Sequence, residues 1–231
     1  MSPLRPGDRV VLASSSPRRL DLLRSLGLDP AVVVSPDVDE TPLAAETPRE
    51  HVARLAAAKL AAVVGTDAAT SVGWSRWRAA PGDVVIAADT TIDLDGRIVA
   101  KPADDDDAVR MLTMLSGREH EVHTGVAVRC GDEVAVEVVT TTVVFRRLDP
   151  TEIARYVATG EPRDKAGAYA LQGGAAGFVR EVRGSRSNVI GLPLDAVCRL
   201  LGLPAGPPPV SLAGPPAGSA PDPQDEPSAA D

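Results

Sequence analysis

The sequence predicts a mixed α/β fold, and three observations carry that expectation. Short β-branched runs alternate with segments of helical apolar spacing. Residues 84–88 (VVIAA) form a continuous apolar run of the kind a buried strand requires. Asp95-Gly96, flanked by apolar residues, is a strong hairpin signal, so strand pairs of both orientations are expected in one sheet.

The elements follow in order. Residues 9–13 (RVVLA) read as a strand that runs through Ser14, Ser15 and Ser16 into a helix start at Pro17. Ser16 is a good N-cap, and proline is tolerated in a first turn because its missing N–H has no helical partner. Leu20, Leu22, Leu23 and Leu26 give the helix its apolar face, and Gly27 ends it. Free N–H groups, hydroxyls and the guanidiniums of Arg18 and Arg19 make a ready phosphate site. An ordinary capped helix with two solvated arginines reads about as well from this segment alone. Residues 31–35 are a short strand. Pro48–Val64 is a helix with Thr47 as cap, Glu50 in the capping-box position and Val52, Leu55, Ala56, Leu60 and Val63 at helical spacing.

Residues 65–83 interrupt the pattern and hold both tryptophans, Trp74 and Trp77. They read as a surface insertion, with a lid or partner loop as the alternative. The strand at 84–88 is expected to end at Asp89, and residues 91–94 and 97–100 form the hairpin around Asp95-Gly96. Four aspartates at 104–107 open a helix reaching Leu115, where they favour the helix dipole; this is a helix start, not a metal site. Residues 123–129 and 133–146 are two long strands around Gly131-Asp132. Residues 151–159 and 192–201 are helices. Residues 160–174 form glycine-rich turns, and residues 184–193 a polar turn before the last helix.

Composition narrows the function. A 231-residue chain with 44% apolar residues is long enough for one enzyme-sized domain. No apolar run approaches the ~18 residues of a membrane span, and no signal-peptide pattern opens the chain, so a cytoplasmic protein is expected. Cys130 and Cys198 have no metal-ligand or disulfide spacing. A net charge of −8 argues against bulk nucleic-acid binding. Of 24 cationic residues only Lys59, Lys101 and Lys165 are lysines, the compact ammonium that suits phosphate oxygens. Residues 203–231 hold nine of the 21 prolines, four acids and no lysine or arginine, the composition of a disordered tail. Residues 1–202 remain as the folded domain. His120 and His123 lie at a strand entry, where their spacing sends them to opposite faces, so structural or surface roles are expected.

Five segments then occur in one order: LASSSPRR (12–19), AADTTIDLDGRIVAKP (87–102), LSGREHEVHTGVAV (115–128), GEPRDKAGAYALQG (160–173) and GSRSNVIGLPL (184–194). Together they resemble the Maf family of nucleoside triphosphate pyrophosphatases, from Val10 to about Leu201. The resemblance implies a strongly bent mixed sheet with flanking helices in two lobes around a nucleotide cleft, an architecture shared with the ITPase-like enzymes. It implies hydrolysis at the α-phosphorus to monophosphate and pyrophosphate with Mg2+ or Mn2+, in a house-cleaning or division-linked role, and it leaves a homodimer open. By position it makes Asp89 the proton acceptor, and Ser14, Arg18 and Arg19 the phosphate signature. Glu40, Lys59, Lys101 and Gln172 fall on its other site positions, with Asp89 and Glu40 as the metal ligands. Arg18, Thr90 and Gln172 match the branch preferring dTTP and UTP over the branch acting on 7-methyl-GTP.

The chemistry is coherent with that implication. A triphosphate carries about four negative charges, so several cations are needed before a nucleophile can approach. An aspartate among cations is a weak base, so Asp89 orients an attacking water as much as it takes its proton. From another class, a nucleotide-sensing regulator of division with little turnover uses the same pocket.

Overall fold

The computed structural model describes residues 4–64 and 79–204. The expected tail, apart from its first two residues, and most of the expected insertion lie outside the described residues. The chain forms a mixed α/β structure around one seven-stranded sheet of order β2-β1-β3-β5-β6-β7, with β4 pairing beside β3. Strands β1 (Val10–Ala13), β2 (Val32–Val34) and β3 (Val84–Leu94) run parallel; β4 (Arg97–Val99), β5 (Glu119–Cys130), β6 (Glu133–Phe145) and β7 (Val179–Arg183) are joined by antiparallel pairs. The helices are α1 (Pro17–Ser25), α2 (Pro48–Val64), α3 (Asp105–Leu115), α4 (Pro150–Val157), α5 (Arg186–Ile190) and α6 (Leu194–Leu201).

Strand β3 organises everything else. Its first four residues pair with β1 and its last three with β4, while β5 accompanies it from Val85 to Asp93 on the other edge. Residues 88–91 therefore face no strand on one edge among the described residues. The strand does not end at Asp89 as expected. It runs on to Leu94, 11 residues in all, because Asp89 and Thr90 find side-chain partners inside the protein and have no need of solvent.

Side-chain alternation along β3 divides the core. Val84, Ile86 and Ala88 pack with Leu12, Val126 and Val128 against α1 and α6. Farther along the same face, Ile92 and Leu94 pack with Val122, Phe145 and Tyr169 against α3 and α4. Thr90 lies between these two clusters. On the opposite face Val85 and Ala87 join Val11, Ala13 and Ala127 beneath Ala56, Leu60 and Val63 of α2. Asp89, Thr91 and Asp93 continue that face with polar groups.

Local chemistry accounts for most boundaries. The capping box of α2 forms as expected: the Glu50 N–H donates to Thr47 Oγ1 at 3.3 Å, and Glu50 Oε2 accepts from the Thr47 N–H at 2.9 Å. Asp104 caps α3 through the Asp107 N–H at 2.8 Å. Asp95 and Gly96 carry φ values of 56° and 78°, the left-handed geometry of a tight hairpin turn. Three expectations are corrected. Ser16 occupies the N-cap position of α1, yet its side chain makes no capping bond. The polar turn at 184–193 contains a helix, α5, capped by Ser185 Oγ, and the last helix starts at Leu194. Strand β5 runs from Glu119 to buried Cys130, longer than the expected 123–129.

Candidate active site

The gap between β1 and β4 opens into a cavity of about 480 Å³, and all nine residues singled out for the site line it: Ser14, Arg18, Arg19, Glu40, Lys59, Asp89, Thr90, Lys101 and Gln172. They reach it from seven separate segments of the chain. Ser14 continues β1, Arg18 and Arg19 open α1, and Glu40 lies in the segment before α2. Lys59 belongs to α2, Asp89 and Thr90 to the unpaired stretch of β3. Lys101 follows β4, and Gln172 lies in the glycine-rich turns.

Lys59 holds the acidic side together. Its Nζ lies 2.6 Å from Asp89 Oδ1 and 2.5 Å from Glu40 Oε1, with Lys59 and Asp89 both buried. Lys101 Nζ stands 3.7 Å from Glu40 Oε2. Partial burial would raise the Glu40 carboxyl, but the Lys59 hydrogen bond and charge, aided by Lys101 and Arg19, hold it below its ordinary value. Glu40 is therefore an anion in the cleft.

The helix packing explains how Lys59 reaches Asp89. Gly125 is the β5 partner of Asp89, and a Cβ there would stand 2.3 Å from Val52 O. The missing side chain lets α2 settle directly on the sheet. Lys59, two turns beyond Val52, then lies on the helix face turned toward Asp89.

The two arginines have different tasks. Arg19 Nε donates to Gly191 O at 2.8 Å, Nη1 to Ser14 Oγ at 3.1 Å and Nη2 to Thr90 Oγ1 at 3.1 Å. Its fork is spent on the protein and ties β1, β3 and the end of α5 together. Thr90 Oγ1 also lies 2.9 Å from Thr124 Oγ1, which donates to Asn188 O at 3.0 Å. These groups form a polar seam between the two apolar clusters. Arg18 is a third exposed, and its contact with Asp164 is 3.9 Å long, which leaves its guanidinium available to a ligand. Ser14 Oγ also accepts the Ser16 N–H at 3.2 Å.

The cavity includes residues not expected at the site, among them His51, Asp164, Tyr169 and Gly191. His51 had a signal available, since it falls on the same helical face as Leu55 and Lys59. Its Nδ1 lies 3.0 Å from Glu46 Oε2. Lys165 lines the cavity too, with Nζ bonded to Glu161 O at 2.6 Å and Asp164 Oδ1 at 2.5 Å. All three lysines of the chain therefore surround one cavity. His120 and His123 are both buried, on opposite faces of β5. His120 Nε2 meets the Tyr169 hydroxyl at 2.8 Å, and burial lowers its pKa to about 4. His123, with Asp93 and Glu121, forms the one carboxylate–histidine group among the described residues whose spacing could hold a metal.

Residues 9–203 match the Maf-like protein family. The chain belongs to that family. Among its Maf relatives, a dTTP/UTP pyrophosphatase of Sphingopyxis alaskensis is 48% identical over 201 residues, covering 85% of this chain and 98% of the relative. A dTTP/UTP pyrophosphatase of Anaeromyxobacter dehalogenans is 51% identical over 198 residues, covering 84% and 92%. Among solved structures, a HAM1 protein from Coxiella burnetii aligns with this Maf chain at 16% identity and a TM-score of 0.44, covering 84% of this chain and 98% of that one. None of the helices described is long and apolar enough to cross a membrane.

Proposed function

We propose that this Maf chain is a nucleoside triphosphate pyrophosphatase that converts dTTP and UTP to the monophosphate and pyrophosphate. One observation carries the reading. A buried ammonium, Lys59, joins Asp89 and Glu40 at the stretch of β3 left open between β1 and β4. The substrates named for the relatives at 48% and 51% identity support the pyrimidine preference.

In this reading Arg18, Lys101 and Lys165 bring positive charge to the triphosphate, and the Ser14 hydroxyl with the start of α1 receives a phosphate oxygen. Arg19 acts through Ser14 and Thr90, holding both in position. Gln172 is exposed at the cavity rim, where its amide offers the donor and acceptor that match the O4/N3–H edge of a pyrimidine. Thr90 contributes to base choice through the seam it shares with Arg19.

Lys59 engages one oxygen of Asp89 and one of Glu40, so the second oxygen of each is a hard donor suited to Mg2+ or Mn2+. When bound, such an ion neutralises phosphate charge and polarises the bond to be cleaved. Asp89 holds the attacking water in line and receives its proton, and Lys59 fixes the carboxylate in that orientation. Residues 1–202 form the catalytic domain in this reading, with 65–83 as an insertion and 203–231 as a tail. Its place is the cytoplasm, beside its nucleotide substrates. A nucleotide-sensing regulator fits less well, because it needs neither Asp89 nor its Lys59 partner.

A panel of dTTP, UTP, CTP, ATP, GTP and 7-methyl-GTP with Mg2+ or Mn2+ tests the reading. Monophosphate and pyrophosphate from dTTP and UTP are expected. Diphosphate and orthophosphate as first products would place cleavage at the wrong bond. No turnover by folded, metal-supplied protein would favour the regulator.

A further inference from the structure

We propose that Asp93, Glu121 and His123 form a second divalent-cation site, of mixed nitrogen and oxygen donors suited to zinc, outside the nucleotide cavity. The three residues come from adjacent strands, with Asp93 on β3 paired directly to Glu121 on β5, and His123 two residues along the same face. One ligand atom of each lies within 4.8 Å of the others. None of the three lines the cavity that holds Asp89.

The spacing favours a cation over direct hydrogen bonding. His123 Nε2 stands 3.4 Å from Asp93 Oδ2 and 3.5 Å from Glu121 Oε2. Both distances are long for an N–H···O bond, and one ring N–H shared between two carboxylates makes only a weak three-centre contact to each. Around a tetrahedral zinc with bonds of about 2.0–2.1 Å, neighbouring ligand atoms stand about 3.3–3.4 Å apart. Among the described residues no lysine or arginine forms an ion pair with either carboxylate, and His123 is the one ion-pair partner they have there.

The surroundings hold the ligands as metal sites hold theirs. His123 is 1% exposed, and its Nδ1 lies 2.9 Å from Thr140 Oγ1, which fixes the ring so that Nε2 faces the carboxylates. Thr140 is in turn anchored by the Arg49 guanidinium. Asp93 Oδ1 accepts the Gly96 N–H at 2.7 Å, leaving Oδ2 toward the histidine. Glu121 is half exposed, so an ion has an entry path and a position for water. Because Asp93 follows Asp89 by four residues on β3, an ion here clamps the strand that carries the cleft carboxylate.

Cobalt(II) and zinc(II) titrated into the chelator-stripped full chain, without nucleotide, test the site. Whatever the Asp89 and Glu40 oxygens hold, one equivalent is expected to bind in the wild type and to persist with the same affinity in Asp89→Asn. His123→Gln and Asp93→Asn, each checked for folding by circular dichroism, should weaken it at least ~10-fold. The zinc X-ray absorption spectrum of the wild type should contain one imidazole, a readout that needs no variant. Absence of binding, an all-oxygen zinc shell, loss of the ion in Asp89→Asn, or unchanged affinity in folded His123→Gln or Asp93→Asn would each overturn the proposal.

Discussion

Along β3, residues 84–88 are apolar on both faces, with α2 over one and α1 and α6 over the other. Residues 90–94 bury Ile92 and Leu94 on one face only, and their other face carries Thr91 and Asp93. The first half is sealed by a parallel neighbour, β1, and the second is met by an antiparallel one, β4. Asp89 sits where the first support has ended and the second has not begun. The difference teaches that the cleft is a gap in sheet pairing, floored by a strand paired on both sides of the gap, so its buried carboxylate faces the cavity from a fixed position in the sheet.

Removing the charge at the junction tests that comparison most severely. Asp89→Asn keeps the shape and leaves both halves paired, yet kcat should fall by at least ~10²-fold with the melting temperature little changed. A variant retaining most of its activity would move the chemistry to another carboxylate.

The second half carries a buried titratable ring, His120, in its core. His120 stands at about 4 in the folded protein against about 6.5 when unfolded. Below 6.5 the unfolded chain binds the additional proton, so stability is full above that pH and declines as pH falls toward 4. The loss amounts to roughly 3 kcal/mol across the window. Urea midpoints at pH 7.5 and pH 4.5 should diverge in the wild type and converge in His120→Gln; equal divergence in both would assign the acid sensitivity elsewhere.

Gly125→Ala probes how the junction is covered. The new methyl meets the α2 backbone at Val52, and lifting the helix should cost about 1–3 kcal/mol. The same lift carries Lys59 away from Asp89, so kcat should fall more than KM rises. A stable, fully active variant would mean that α2 does not set the ion pair. The smallest effect is expected at the rim: Gln172→Ala should reduce the preference for dTTP over CTP by about 10-fold, the worth of one or two neutral hydrogen bonds. An unchanged base preference would exclude Gln172 from base reading.

Much of this architecture was legible in the residues. The cap of α2, the Asp95-Gly96 turn and the aspartate-led start of α3 are local chemistry, settled by neighbours three residues apart. The nine candidate site residues were picked out through motif resemblance, and all nine line one cavity in the structure. Polar residues within a strand misled: Asp89 and Thr90 look like an exit to solvent, because their partners Lys59 and Arg19 are 30 and 71 residues away. Helix α5, at five residues, is too short to display a period. Strand β7 is a half-exposed edge whose charges hide its alternation. The division of labour between Arg18 and Arg19 depends on Gly191, 172 residues distant from Arg19, and no local pattern could assign it.

The lysines have one more consequence. The other 21 cationic residues are arginines, and the chain's only ammonium side chains surround the cavity, from buried Lys59 to Lys101, which is 60% exposed. An amine-selective acylating reagent therefore meets, apart from the α-amine, side chains at a single place. Modification mapped by mass spectrometry becomes a direct gauge of cleft occupancy: Lys101 labels freely in the empty protein and is shielded when a nucleotide fills the space before it.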